Sequence, residues 1–353
     1  MCSNREYRRY FSALDGVLTW HLFSSGGMFS STKDLIALGT AILDNKLLSP
    51  VQTRRWMQPT SHTTSTGFSV GAPWEIGRAT TLTLDGRTID VYTKTGDLGA
   101  YHGVLALIPD YDLVVSVLTA GDEVTQEPNT RTIVLSAVLR ALIPALERAG
   151  RDEAAASGYP GVFTDAAANA TLVLSVDETG PGLVMSTFSV RGFDVVGHFG
   201  DYGLGALERG AQIAVAPPKK ADARLYPTNR RDTATDKGET AWRAVVDTST
   251  AQQKKALEDQ IFYPEGACNT WFGMDRAVYN YLSLGEFVFV TGKDGKVVAI
   301  KNLAFNTTMV RAGDAPALKI ERDTSKSGAS ARGGAAAGMI GFVVALLTVA
   351  FNA

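Results

Sequence analysis

The stretch Thr80–Gly121, "TTLTLDGRTIDVYTKTGDLGAYHGVLALIPDYDLVVSVLTAG", decides the fold. Apolar and polar residues alternate on both sides of Asp85-Gly86, a dipeptide suited to a type I' turn, so an antiparallel hairpin is expected around it. Its second strand runs into Lys94-Thr95-Gly96, and Gly96, Gly99 and Gly103 punctuate the exit. "GVLALIP" (Gly103–Pro109) and "LVVSVLTAG" (Leu113–Gly121) flank the turn Asp110-Tyr111-Asp112 and predict another antiparallel pair. Beyond them, Ile133, Val134, Ala137, Val138, Ala141, Leu142, Ala145 and Leu146 form one apolar face at helical spacing. They predict a helix from Thr132 to Arg148 packed on that sheet.

Upstream, Gly26-Gly27 marks a turn, and Leu35, Ile36, Leu38, Ala41, Ile42 and Leu43 predict an amphipathic helix from about Thr32 to Asp44. Ser31 and Asp34 form an S-x-x-D capping pair at its start. Ser49 and Pro50 open a second, short helix in "SPVQTRRWMQ". Downstream, "ERAGRDEAAASGYPG" (Glu147–Gly161) turns charged and small and reads as a linker, after which the pattern is all-β. "NATLVLSVDETGPGLVMSTFSV" (Asn169–Val190) reads as two strands around a Pro/Gly turn, and "EFVFVTGKDGKVVAIKNL" (Glu286–Leu303) as a hairpin near Asp294-Gly295. "APPKKADARLYPTNRRDTATDKGE" (Ala216–Glu239) is polar and Pro-rich and reads as a long loop. Trp242, Trp271, Phe287 and Phe289 are expected in the core of this module.

The expected organisation is an α+β first domain over residues 1–150, a linker at 151–157, a small all-β sandwich or lipocalin-like barrel over 158–322, and a tail from 323 to 353. With 353 residues, 45% of them hydrophobic and 20% charged, the chain is long enough for two cores. A net charge of -2, with no basic run interleaved with aromatics, argues against a nucleic-acid partner. Cys2 and Cys268 are too few for a disulfide framework or a cysteine metal site. His21, His62, His102 and His198 show no metal-binding spacing and read as buried or surface histidines, so neither metal nor cofactor is expected.

The chain ends point to different compartments. "MCSNREYRRYFSALDG" (Met1–Gly16) lacks the apolar centre of a secretory signal. "SKSGASARGGAAAGMIGFVVALLTVAFNA" (Ser325–Ala353) has the order of a GPI-attachment signal: small residues, a polar spacer, then an apolar end. Ser327-Gly328-Ala329 fits the attachment triplet and Ser325 is a second candidate, while an uncleaved single helix over Ala335–Ala353 stays open. An extracellular, membrane-anchored location is therefore expected. The sequons at Asn169 and Asn306 are compatible with it as glycosylation sites. Such a tail needs entry to the secretory pathway, so the chain is expected to be the C-terminal part of a longer precursor.

Lys94-Thr95-Gly96 has its own chemical logic. Lys94 offers a fixed cation and Thr95 a hydroxyl, while Gly96 removes the side chain where a substrate would lie against the strand. The backbone N–H of Asp97, next along, could serve as half of an oxyanion hole. Together with "SSGGMFSSTKDLIALGTAIL" (Ser24–Leu43), "LLSPVQTRRWMQP" and "FSVGAPWEIGR", this pattern resembles the serine β-lactamase and penicillin-binding-protein-like superfamily. It is most similar to the secreted fungal, class C or esterase-like branch, over about Leu18 to Arg322.

The resemblance implies a serine hydrolase acting on a small-molecule ester or amide through an acyl-enzyme. It implies three stations in chain order: S-x-x-K, then Y-x-N or Y-x-S, then K-[TS]-G. Only the third matches. Ser30-Ser31-Thr32-Lys33 fits S-x-x-K formally, but it coincides with the family's S-T-x-x-D-L helix and reads as a decoy. The nucleophile and tyrosine are thus expected outside this chain, which would be inactive alone; a non-enzymatic surface protein built on the same fold is the alternative. Asp97 stands where lactam-hydrolysing members place a small hydroxyl residue, and would disfavour an anionic lactam if it faced the site. Cys268 is expected as a buried thiol or paired with a cysteine lying upstream.

Overall fold

A computed structural model describes residues 29–98, 100–121, 130–199, 221–231, 238–258, 275–314 and 346–351. Its contacts divide the chain into two compact units, Met1–Leu146 with Ala329–Ala353, and Glu147–Gly328.

The first unit is a layered α+β arrangement. Helix α1 (Thr32–Leu43) starts where expected, because the Ser31 hydroxyl accepts the Asp34 backbone N–H at 3.1 Å. Helix α2 (Pro50–Trp56) begins with a reciprocal capping box between Ser49 and Gln52. The sheet runs β1 (Ser61–His62), β2 (Phe68–Val70), β3 (Glu75–Ala79), β4 (Ile89–Leu98), β5 (Tyr101–Ile108) and β6 (Leu113–Ala120), each antiparallel to the next. Helix α3 (Thr130–Ala156) follows.

Strand alternation gives this sheet two apolar faces. On one, Ile89, Val91, Val104, Ala106, Val115 and Val117 pack against Leu135, Leu139 and Ile143 of α3. On the other, Ile76, Leu105, Leu107 and Val114 pack with Ile36 and Ile42 of α1 and with Met57 and Trp74. The central strands are covered on both sides, which is why "VLALI" reads as an unbroken apolar run.

Three local expectations change. The partner of β4 is "EIGRA" (β3) and not "TTLTL": Ala79 pairs with Ile89, and residues 80–88 form an irregular connection. Asp85 spends its carboxylate on Arg87, with both oxygens 2.9 Å from Nη1, and Leu82 turns into the α3-side core. Burial pushes the Asp85 carboxyl up, but the Arg87 and Thr83 hydrogen bonds and the Arg87 charge outweigh it and hold the group below its ordinary value. The charged stretch read as a linker is helical up to Ala156, in keeping with its Ala, Arg and Glu content. Leu346–Phe351, part of the apolar tail, pairs its backbone antiparallel with β6, from Leu346 opposite Leu118 to Phe351 opposite Leu113. Among the described residues no helix is long and apolar enough to cross a membrane. The expected small-residue turn at Gly26-Gly27 lies outside the described residues, as do Trp271, Cys268, Ser325 and Ser327.

The second unit is built from β7 (Gly161–Asp165), β8 (Ala170–Ser175), β9 (Leu183–Val190), β10 (Phe193–Asp194), β11 (Asp222–Arg231), β12 (Glu239–Asp247), β13 (Val278–Tyr279), β14 (Leu282–Ser283), β15 (Glu286–Thr291), β16 (Val297–Asn302) and β17 (Thr307–Gly313), with helix α4 (Ala251–Glu258). The order β9-β11-β12-β15-β16-β17-β7-β8 closes through a β8–β9 pairing, so eight strands make a barrel and not a sandwich. Its interior is filled by side chains: Phe163, Phe188, Phe287, Phe289, Leu172 and Ile300 are all completely buried. Trp242 joins them, its ring 4.8 Å from that of Phe289. The polar stretch read as a loop supplies β11, which turns Ala223 and Leu225 into this core between charged neighbours.

Candidate functional site

β4 carries Lys94, Thr95, Gly96 and Asp97 along its last half. On the β5 side it stays fully paired, to Leu98 opposite Tyr101. On the other side β3 ends its pairing at Glu75 opposite Thr93. Beyond Thr93 that edge of β4 has no strand partner among the described residues. The Thr95 N–H points out of this edge, since it donates to the Glu75 carboxylate at 3.2 Å, and the two-residue repeat aims the Asp97 N–H the same way. A Cβ added to Gly96 would meet nothing within 4 Å, so the backbone here is open to close approach.

Glu75 organises the polar groups of this edge. Its Oε1 lies 2.5 Å from Lys94 Nζ, and the Thr95 hydroxyl is 3.0 and 2.9 Å from Oε1 and Oε2. Lys94 Nζ also donates to the Thr95 carbonyl at 3.0 Å. Glu75 is itself placed by the Thr93 hydroxyl, which donates to its backbone carbonyl at 2.7 Å, and by the buried Trp74 before it. Trp74 packs between Trp56, tilted against it with ring centres 4.9 Å apart, and Tyr92, edge-on at 6.4 Å. Burial, followed by the charges of Asp90 and Asp110, raises the Tyr92 phenol above its ordinary value, so this tyrosine stays protonated.

Asp97 belongs to a different cluster. Ile89 and Val91 face α3, and the same alternation carries Asp97 to the α3 side. There its Oδ1 is 2.6 Å from Nη1 of Arg131, its Oδ2 accepts from Nη2 at 3.0 Å, and His102 Nδ1 lies 2.5 Å from Oδ1. Arg131 and His102 are both buried. The Asp97 side chain therefore does not share a face with Lys94, although its backbone N–H remains on the open edge.

Of the formal S-x-x-K, Ser30 precedes the cap of α1 and its hydroxyl donates to the Ser31 carbonyl at 3.4 Å, while the Ser31 hydroxyl engages Asp34. Lys33 lies in the first turn of α1, whereas Ser30 precedes its cap. Among the described residues no group of three His, Cys, Asp or Glu side chains comes together to hold a metal ion.

In the barrel, Asn169 and Asn306 are exposed and left-handed, with φ of 45° and 51°, each closing a hairpin turn. The two turns are neighbours at one rim, since β7 pairs with β17 and the Thr308 N–H donates to Asp165 Oδ2 at 3.2 Å.

Sequence reading missed Glu75. Pairing β4 with "TTLTL" put this residue outside the sheet; an acid in the strand before the lysine becomes significant only once the register Glu75–Thr93 is known.

Comparison with known proteins follows these two units. Residues 3–139 match a family model described as "Beta-lactamase", and residues 150–313 one described as "Beta-lactamase-like-like, C-terminal domain". The chain is 31% identical over 291 residues to a "Beta-lactamase-like protein" of Arthroderma benhamiae, covering 78% of this chain and 47% of that one. Over 98 residues it is 32% and 33% identical to proteins named as probable hydrolases from a Phoma species and from Cochliobolus lunatus, in each case 28% of this chain and 16% of the relative. The chain thus spans about half the length of its Arthroderma relative and much less of the other two. No solved structure matches.

Proposed function

Because the chain belongs to the β-lactamase-like family, we propose that β3 and β4 form one wall of a serine-hydrolase site that cleaves an ester or amide through an acyl-enzyme. The observation that carries this reading is the uncovered edge of β4, where Lys94, Thr95 and the bare Gly96 backbone are presented with two outward N–H groups. A substrate laid along that edge finds hydrogen-bond partners on the backbone. The Asp97 N–H supplies half of an oxyanion hole for the tetrahedral intermediate, and Lys94 provides a nearby positive charge.

In this reading the serine nucleophile and acid/base tyrosine belong to a part of the protein outside this chain, and the chain alone does not turn over. Two features support it: Ser30 lies off the helix, and about half of the relative's length is unmatched. The site works outside the cell, with the protein held at the membrane through Ser327 and carrying sugars on Asn169 and Asn306; the single C-terminal helix is set aside because Leu346–Phe351 is a strand paired with β6. The composition of the tail and the exposure of both asparagines support this placement.

One observation favours a second reading, a non-enzymatic surface protein on the same scaffold: Glu75 already engages the polar side chains that a reacting substrate would use. A fluorophosphonate probe distinguishes the two. The chain alone is expected to remain unlabelled, whereas a longer product of the same gene, carrying the sequence encoded upstream, is expected to label at a serine of S-x-x-K type. Labelling of Ser30 or Ser31, with ester hydrolysis lost on their substitution, would overturn the split-site reading. A longer product that never labels would favour the surface protein.

A further inference from the structure

Lys94 Nζ, the Thr95 hydroxyl and the Thr95 N–H are one cation and two neutral donors gathered at one edge, the set that a carboxylate recruits. Here all three converge on a carboxylate supplied by the chain itself. Glu75 Oε1 takes Lys94 at 2.5 Å and the Thr95 hydroxyl at 3.0 Å, and Oε2 takes the same hydroxyl at 2.9 Å and the amide at 3.2 Å.

This is more than an opportunistic surface ion pair, which would engage the ammonium alone. The residue bearing the carboxylate opens β3 in register with Thr93, has its carbonyl bonded by the Thr93 hydroxyl, and follows a tryptophan sealed between two other rings. Its backbone has little freedom to withdraw. The two carboxylates of β4 take no part: Asp90 pairs with Arg78, and Asp97 is tied to Arg131 and His102 on the α3 side.

We propose that Glu75 is a specificity-determining residue: it occupies the anion position of the β4 edge from within the chain, so the site accepts a ligand that is uncharged where it meets Lys94. This rests on reading β4 as a substrate-binding wall. A ligand carboxylate would approach donors already engaged and would be repelled by Glu75, whereas a neutral carbonyl needs only one N–H of the edge, and that of Asp97 points outward beyond the donors Glu75 engages. The ligand class is an ester or amide with no acid group next to the recognised carbonyl. The charge selection that the sequence attaches to Asp97 is exercised by Glu75.

The test is binding and needs no turnover. N-acetylalanine and N-acetylalaninamide are nearly isosteric and differ chiefly in charge at one end. Each is titrated into the full chain, following the Thr95 amide and the Lys94 ε-methylene by NMR. In the native chain the acid is expected to bind no more tightly than the amide. In Glu75→Gln and Glu75→Ala the preference should reverse, the acid gaining roughly tenfold as repulsion is removed and Lys94 is released together. Lys94→Met in the Glu75→Ala background should abolish that gain. Thermal melts confirm that each variant is folded, and the native-chain comparison stands without them. An acid preference in the native chain, or no gain in either variant, overturns the proposal. Neither result depends on fluorophosphonate labelling, so failure of charge selection is distinct from failure of the hydrolase reading.

Discussion

Asp97 and Arg131 meet on the α3 side of β4, with Nη1 of the arginine 2.6 Å from Oδ1 of the aspartate, while Lys94 lies on the opposite face. This pair ties the end of the strand to the first turn of the helix that covers the sheet. Asp97→Ala takes the carboxylate away from a buried guanidinium. Asp97 is itself about half exposed, so the expected cost is about 1–2 kcal/mol, between that of a surface and a fully buried pair. A thermal melt should fall by several degrees, while the acid-against-amide preference at Lys94 stays that of the native chain. A changed preference would show that Asp97 also acts at the edge.

Gly39 is where α1 touches the sheet. A Cβ there would lie 2.5 Å from Val114 Cγ1 and 2.9 Å from Leu107 Cδ2, both on fully buried side chains. Alanine would gain up to about 1 kcal/mol of helix propensity, but overpacking costs about 1–3 kcal/mol. Gly39→Ala is expected to destabilise, measured as a lower urea midpoint. A rise would mean that α1 can move away from the sheet at little cost.

In the barrel, Arg224 holds Asp177 by two hydrogen bonds of 2.8 and 3.0 Å, and Thr179 adds a third at 2.7 Å. Burial alone would raise the Asp177 carboxyl, but the Arg224 and Thr179 hydrogen bonds and the Arg224 charge outweigh it and hold the group below its ordinary value. With the folded value depressed, the stabilisation is present above the unfolded carboxyl's pKa of about 4 and is lost as pH falls through the folded value. Asp177→Asn should cost about 3 kcal/mol near pH 7, with the gap to the native chain narrowing below about pH 4. Denaturant unfolding across pH checks both the size and the slope.

If the protein enters a secretory pathway, Asn169 and Asn306 should each carry a sugar, because both are exposed at hairpin turns of the barrel rim. Thr171→Ala and Thr308→Ala remove the acceptor motifs without disturbing the left-handed asparagines. Expressed in a eukaryotic secretory host, each variant should lose one step of the mobility shift removed by glycosidase, and the double variant should lose both. No shift in the parent chain would count against the extracellular placement.

Much of the molecule follows from local pattern alone. Period-3.6 spacing and the Ser31 and Ser49 caps place α1 and α2, because a helix is specified by neighbours three and four residues apart. Period-2 runs place β4, β8, β9, β15 and β16, unbroken apolar runs between turn residues place β5 and β6, and the β-lactamase-like character of the first unit is legible in its stretches. What a strand pairs with is another matter. Register is a long-range choice set by which side chains fill the core, so the true partner of β4, the existence of β11 among charged residues and the closure of the barrel emerge only when the sheets assemble. The site shows the same division. Lys94-Thr95-Gly96 is visible as letters, but Glu75 lies beside Lys94, and Asp97 on the far face, only because antiparallel pairing and strand alternation put them there.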